Sequence, residues 1–204
     1  ARFGAYMTLA GAFGLGESYG SLRDVPRGPV EGHVPGHGTL IETKVPGARS
    51  GWNPRPAVIY LPPAYQHANG RNLPVLVLMA GQPGSPRTWV DAGRMQVSLD
   101  AYAADHGGAA PVVVVVDQLG DSITGPLCSD SAAGNVAEYL QQDVPAWIEK
   151  NLQVTHDRAR WGIGGLSNGG TCALQVVTRD PDAYSLVLNM SGEAVPKLSG
   201  SASA

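Results

Sequence analysis

The chain has 204 residues, of which 43% are hydrophobic and 15% charged, with a formal net charge of −3. This length supports one domain with a substantial core, and the absence of any long basic or acidic run argues against a nucleic-acid partner. No apolar stretch is long enough to span a bilayer; the opening ARFGAYMTLAGAFGLG lacks the basic flank and continuous apolar centre of a signal peptide and has no initiator Met, as in a mature or excised piece.

Residues 1–36 are rich in Gly and Pro and read as an irregular lead-in with a short helix near its start, so the domain proper is expected over 37–204. GTLIETKVPG (38–47) predicts a first strand and RPAVIYLPPAY (55–65) a second, ended by its prolines. HANGRN (67–72) carries Asn-Gly, a hairpin signal. LPVLVLMAG (73–81) and APVVVVVDQ (110–118) are near-continuous apolar runs, as suits strands buried on both faces of a parallel sheet. Between them, residues 87–105 predict a helix bearing Trp89, Val90, Val97, Leu99 and Tyr102.

A second helix is predicted over 136–152, with Val136, Leu140, Val144, Trp147 and Ile148 at helical spacing, a capping-box variant at Asn135 and Glu138, and a kink at Pro145. RWGIGGLS is a short strand entering a tight turn. Residues 168–179 are a helix that Asp180-Pro181 stops, and YSLVLNMSG (184–192) is a further strand. One or two antiparallel strands followed by strand–helix repeats give a three-layer α/β/α sandwich with a mostly parallel sheet. Ligands of such sheets bind at the carboxyl ends of the strands.

Gly165-Leu166-Ser167-Asn168-Gly169 fits the nucleophile pattern of serine hydrolases in its strand–turn–helix setting. The turn lifts the Ser167 hydroxyl above the sheet, while Gly165 and Gly169 keep other side chains out of it and Gly170 lets the helix pack closely. The N–H of Asn168 stands at a helix N-terminus, placed to stabilise an oxyanion. A second donor is expected after the third strand, in LMAGQPGSPRTW. Pro83 and Pro86 have no N–H, which leaves Gln82 as the best candidate, with Gly84 and Ser85 behind it. Asp117 and Asp121 follow the VVVVV strand at the same edge, where they are either pocket residues or ordinary caps and solvated loop groups.

A serine nucleophile needs a base, yet all five histidines, His33, His37, His67, His106 and His156, precede Ser167. Strand direction places each at the opposite edge of the sheet. His156 comes before a strand of about six residues, so roughly 20 Å separates it from Ser167 at about 3.3 Å per residue. Proton transfer needs hydrogen-bond distance. Glu193 closes the strand after the nucleophile helix and is the candidate acid; Asp180 and Asp182 lie at the far edge. No cofactor is called for. Cys128 and Cys172 admit two readings, two small buried thiols or one disulfide in an oxidising compartment. Neither lies in a CxxC pair or has a neighbour at zinc-ligand spacing, so no metal site is expected.

VAEYLQQDVPAWIEKNLQV followed by WGIGGLSNGGTCALQVVTRDPDAYSLVLNMSGE resembles the Putative esterase branch of the α/β-hydrolases, which includes esterase D and the mycobacterial mycolyltransferases. The features shared are a helix with a Pro-x-Trp turn, the serine elbow, a Pro-x-x-Tyr step after the helix and a strand ending Ser-Gly. PLCSDS and GGTCALQ are most similar to actinobacterial members whose hydrolase domain lies outside the membrane after transmembrane helices. The likeness covers roughly residues 38–195. It implies Ser167 as nucleophile, Asn168 and Gln82 as the oxyanion hole, a Cys128–Cys172 disulfide bracing the pocket, and an extracytoplasmic location.

The resemblance also implies further strands, carrying the acid and histidine, beyond Ala204. The sheet would then lack its last strands and expose an apolar edge after YSLVLNM, prone to self-association. The activity implied is that of a serine acyl-ester hydrolase or acyltransferase working through an acyl-enzyme on a small-molecule, lipid or glycolipid ester. The alternative is an inactive binding module that uses the same cleft for a glycan or lipid.

Overall fold

The computed structural model describes residues 18–26, 30–67, 72–120, 128–132 and 134–193. Six strands form the main sheet: β1 (Thr39–Thr43), β2 (Ala57–Leu61), β3 (Val75–Met79), β4 (Val112–Val116), β7 (Trp161–Leu166) and β8 (Leu186–Met190). A separate two-stranded ribbon pairs β5 (Asp130–Ser131) with β6 (Gly134–Asn135). The order of the main sheet is β1-β2-β4-β3-β7-β8. β3 pairs in parallel with both β4 and β7, and β7 in parallel with β8, while β2 runs antiparallel to both its neighbours.

Alternation along the strands builds two cores. Ile59, Val77, Val114 and Ile163 point to one face, and Leu40, Tyr60, Leu78 and Val113 to the other. Helices α1 (Thr88–Asp91) and α2 (Met95–Asp105) cover the second face through Val90, Met95 and Ala103. The first is covered by α3, which runs Val136–Glu138, passes through a π turn at Tyr139–Asp143 and continues as Val144–Asn151, and by α4 (Asn168–Arg179). This is the expected α/β/α layering.

Several local expectations are corrected. The helix over 87–105 is two helices, broken where Gly93 precedes Arg94 with φ 49°. Its buried side is the expected one in part: Trp89, Val90 and Leu99 pack on the core, but Val97 and Tyr102 are half exposed, and Met95 and Ala103 face the sheet as well. The Asn135–Glu138 capping box does not form. Asn135 donates its amide to the carbonyl of Ser50, and the carboxylate of Asp130 accepts the Glu138 N–H at 3.0 Å.

Pro145 follows the π turn, a looser hydrogen-bonding pattern that accommodates the missing N–H and the ring. The turn also brings buried Asp143 onto the Arg49 and Ser50 N–H groups and the Ser50 hydroxyl. The Asn-Gly hairpin signal falls outside the described residues. The strands flanking it are not hairpin partners in any case, because β4 lies between β2 and β3. The short helix expected near the N-terminus and the tail beyond Glu193 also lie outside the described residues. Within the lead-in, Gly20 bridges to Ile41, and Leu22 and Val25 pack on the core.

Candidate active site

Ser167 occupies the single residue between β7 and α4, at the carboxyl end of the sheet. Its backbone sits at φ 52°, ψ −115°, a conformation that side chains other than Gly rarely adopt and that costs about 1–3 kcal/mol. The surroundings enforce it. The Ser167 N–H donates to the carbonyl of Met190 at 2.8 Å, and its own carbonyl accepts the Thr171 N–H at 3.0 Å as α4 begins. Gly165 and Gly169 face one another so closely that a Cβ on Gly165 would collide with the Gly169 backbone, and one on Gly169 with the Met79 carbonyl. The result is an exposed hydroxyl on a rigid turn.

Asn168 is the first residue of α4, so its N–H lies among the unsatisfied donors at the positive end of a 12-residue helix. The β3 exit passes directly beside the serine: a Cβ on Gly81 would lie 3.3 Å from the Ser167 Cβ. Gln82 follows in the chain, half buried, at the same edge as Asn168. A polarised oxygen above Ser167 would meet the helix N-terminus on one side and this turn on the other.

The turn is held at three points. The Arg55 guanidinium donates to the Gly84 carbonyl at 2.8 Å and grips buried Asp117 with two bonds, of 2.7 and 3.0 Å. The indole N–H of Trp89 donates to the Met79 carbonyl at 3.1 Å. Arg87, at the far end, pairs with Glu42 of β1, and that hydrogen-bonded guanidinium holds the Glu42 carboxyl below its ordinary range. Asp117 therefore anchors the turn and does not stand open in a pocket; it also accepts the Arg55 and Leu119 N–H groups. Asp121 lies outside the described residues. Sequence reasoning missed Arg55, Trp89 and Gln118 as members of this scaffold. Gln118 is 1% exposed and donates to the Ala80 carbonyl and to the side chain of Asn168. Its place immediately after VVVVVD was the available signal.

Cys128 and Cys172 form a disulfide across 44 residues, joining the segment after β4 to the second turn of α4. The Arg179 guanidinium adds a bond to the Cys128 carbonyl at 2.9 Å. Glu193 is exposed, and its N–H donates to Thr171 Oγ1 at 2.8 Å, which ties it to the first turn of α4.

The histidines engage elsewhere. His37 contacts Asp100 of α2, His106 stacks on Tyr102 at the end of that helix, His156 lies 3.8 Å from Glu149 ahead of β7, His67 follows the 3₁₀ turn after β2, and His33 is exposed in the lead-in. Among the described residues no histidine hydrogen-bonds to Ser167.

A family model described as Putative esterase matches residues 51–200. An uncharacterized protein of Corynebacterium glutamicum is 42% identical over 165 residues, covering 79% of this chain and 39% of the relative. Among solved structures, a ferulic acid esterase superposes with a TM-score of 0.68 at 21% identity, over 79% of this chain and 63% of its own. A feruloyl esterase module from Clostridium thermocellum, complexed with sinapinate, gives 0.60 at 20% identity, over 87% and 63%. An S-formylglutathione hydrolase from Agrobacterium tumefaciens gives 0.56 at 16% identity, over 79% and 60%. These likenesses show the α/β-hydrolase fold. The chain spans about two fifths of the length of its Corynebacterium relative and under two thirds of each of these structures.

Proposed function

The chain belongs to the Putative esterase family, and from that premise we propose that it carries the nucleophile and oxyanion hole of a serine carboxylesterase acting outside the cytoplasm. The backbone of Ser167 carries the proposal: a serine at φ 52° between a buried strand and a helix N-terminus. Such strain persists where the surroundings impose it, and it marks functional turns.

Ser167 Oγ attacks the ester carbonyl carbon as a histidine accepts its proton. The developing oxyanion is assigned to the N–H groups of Asn168 and Gln82, donors of the kind that need no reorganisation when they are fixed before reaction. Collapse expels the alcohol, protonated by the same histidine, and leaves an acyl-enzyme. Water then releases the acid, or a sugar hydroxyl accepts the acyl group. The five histidines lie away from Ser167, so the base is assigned to a histidine outside these 204 residues, oriented by Glu193 or by an acid beside it. Residues 37–204 are assigned to this hydrolase domain and 1–36 to a lead-in. The Cys128–Cys172 disulfide supports an oxidising, extracytoplasmic setting.

The test is labelling of the full-length protein, and of its Ser167→Ala variant, by a fluorophosphonate probe. Labelling confined to the unmodified protein is expected; equal labelling of the two would sink the nucleophile assignment and favour a binding module built on the same cleft. A panel of p-nitrophenyl acetate, methyl ferulate and S-formylglutathione then sorts the acyl and leaving groups.

A further inference from the structure

We propose that Gln118 is a positioning residue for this reaction: it locks the β3 exit that leads to Gln82 onto Asn168, so that the two oxyanion donors are held as one unit. The proposal rests on the esterase reading and adds a residue to it.

The hydrogen-bonded ladder between β3 and β7 ends at the pair Met79–Gly165. Beyond it the two chains stay side by side, with Gly81 against Leu166 and Ser167, but the ladder pairs the Ala80–Gln82 turn with neither Ser167 nor Asn168 among the described residues. Packing alone then sets the separation at the place where both donors must face one oxygen. Gln118 bridges that gap from β4, two residues past Val116. Its side-chain NH2 has two hydrogens, and both are used, one on the Ala80 carbonyl at 2.7 Å and one on Asn168 Oδ1 at 3.0 Å.

The orientation follows from elimination. A backbone carbonyl can only accept, so the Ala80 contact decides which end of the Gln118 amide is NH2. The second N–H then needs an acceptor, so Asn168 presents its oxygen and turns its own NH2 away. The rotation of the residue after the nucleophile is therefore set by a carbonyl on the β3 exit. With Gln118 1% exposed, water does not reach its own amide, and leaving a buried amide unmatched costs about 1–3 kcal/mol. The Arg55–Asp117 clamp holds the other end of the turn, at Gly84. It serves as the comparison.

Loss of one oxyanion donor lowers kcat by about 10²–10³-fold, and misplacement of about 1 Å by roughly 10². Gln118→Leu, which keeps the volume and removes both bonds, is expected to lower kcat on p-nitrophenyl acetate by about tenfold to a hundredfold with KM within about twofold. The rate of fluorophosphonate labelling should fall by a similar factor. Gln118→Glu, which has no donor when ionised and one at most when protonated, cannot make both bonds and should also lower kcat.

Activities are taken on the full-length protein and normalised to the folded fraction from thermal melts; a merely structural role would lower the melting midpoint and leave the normalised kcat intact. Asn168→Ala, at a partly exposed site, removes the same lock from the other side and carries the test if Gln118→Leu fails to fold. The double variant should lose less than the product of the two single losses. Wild-type kcat and labelling in folded Gln118→Leu or in Asn168→Ala, or multiplicative losses in the double variant, would overturn the proposal while leaving labelled Ser167 as the nucleophile. Unlabelled Ser167 in the unmodified protein would remove the esterase reading itself.

Discussion

β4 and β8 are both short apolar strands, VVVVV and LVLNM, and their fates are opposite. Every residue of β4 is buried, whereas four of five in β8 are exposed, with Leu186 at 53%, Leu188 at 37% and Met190 at 36%. β4 lies between β2 and β3, with helices against both faces. β8 pairs only with β7 among the described residues. Its side chains at 186, 188 and 190 share the face of Gly162, Gly164 and Leu166, beyond the reach of α1 and α2, and Leu166 is itself 45% exposed. The companion residue Val187 points the other way and packs on the core under α4. An apolar run thus specifies a capacity for burial; its place in the sheet decides whether that capacity is used.

The largest test of this contrast is one charge placed in each strand. Val114→Asp puts an unpaired carboxylate at a fully buried site and should destabilise by at least about 3–5 kcal/mol, leaving little soluble, folded protein in thermal melts. Leu188→Asp should move the melting midpoint by the equivalent of under about 1 kcal/mol. In size-exclusion chromatography it should also convert self-associated chain to monomer, because contiguous exposed apolar surface is adhesive. A wild-type chain of these 204 residues that runs as a monodisperse monomer would show that the open face has no such consequence.

Next in size is the covalent tie at the ordered edge. Reducing the Cys128–Cys172 bridge, or replacing either cysteine by Ser, should cost about 2–4 kcal/mol, read as a drop in the unfolding midpoint with dithiothreitol. The Ser-substituted chain should be indifferent to the reductant; a continued response would mean that the reagent acts elsewhere.

A smaller effect, and of opposite sign, is expected at Ser167, between the two regions. Ser167→Gly removes the side chain that makes φ 52° unfavourable. Relief of about 1–3 kcal/mol is partly offset by the roughly 0.5–1 kcal/mol of extra chain entropy that Gly brings to the unfolded state. A net gain of about 1 kcal/mol is expected in denaturant titration, with loss of probe labelling. A variant less stable than the parent would show that the turn is not strained.

Where the periodicity was clean and the stop signals local, the sequence determined the structure closely. The pattern predicts a helix over 168–179, and α4 is found at Asn168–Arg179, opening after a Gly-flanked turn and closing at Asp180-Pro181. The buried strands and the elbow were legible for the same reason, since chain stiffness, proline and glycine act between near neighbours. The helix over 87–105 was read less well, because a break at Gly93-Arg94 re-phases its faces and burial is decided by the sheet beneath. The cap of α3 was misassigned for a similar reason: its acceptor is Asp130, reached across a small ribbon.

What only the tertiary structure decided is the support of the site. Asp117 reads in sequence as a pocket acid or a cap and is in fact gripped by Arg55, 62 residues earlier. Gln118 reads in sequence only as the residue that follows a buried strand, and it joins two segments on different strands. Hydrogen bonds between residues distant in sequence leave no periodic trace; they arise when a parallel sheet brings the ends of β4, β3 and β7 side by side. The sequence by itself identified the candidate serine and its turn, which are local, while the fold alone decided what holds the segments around it.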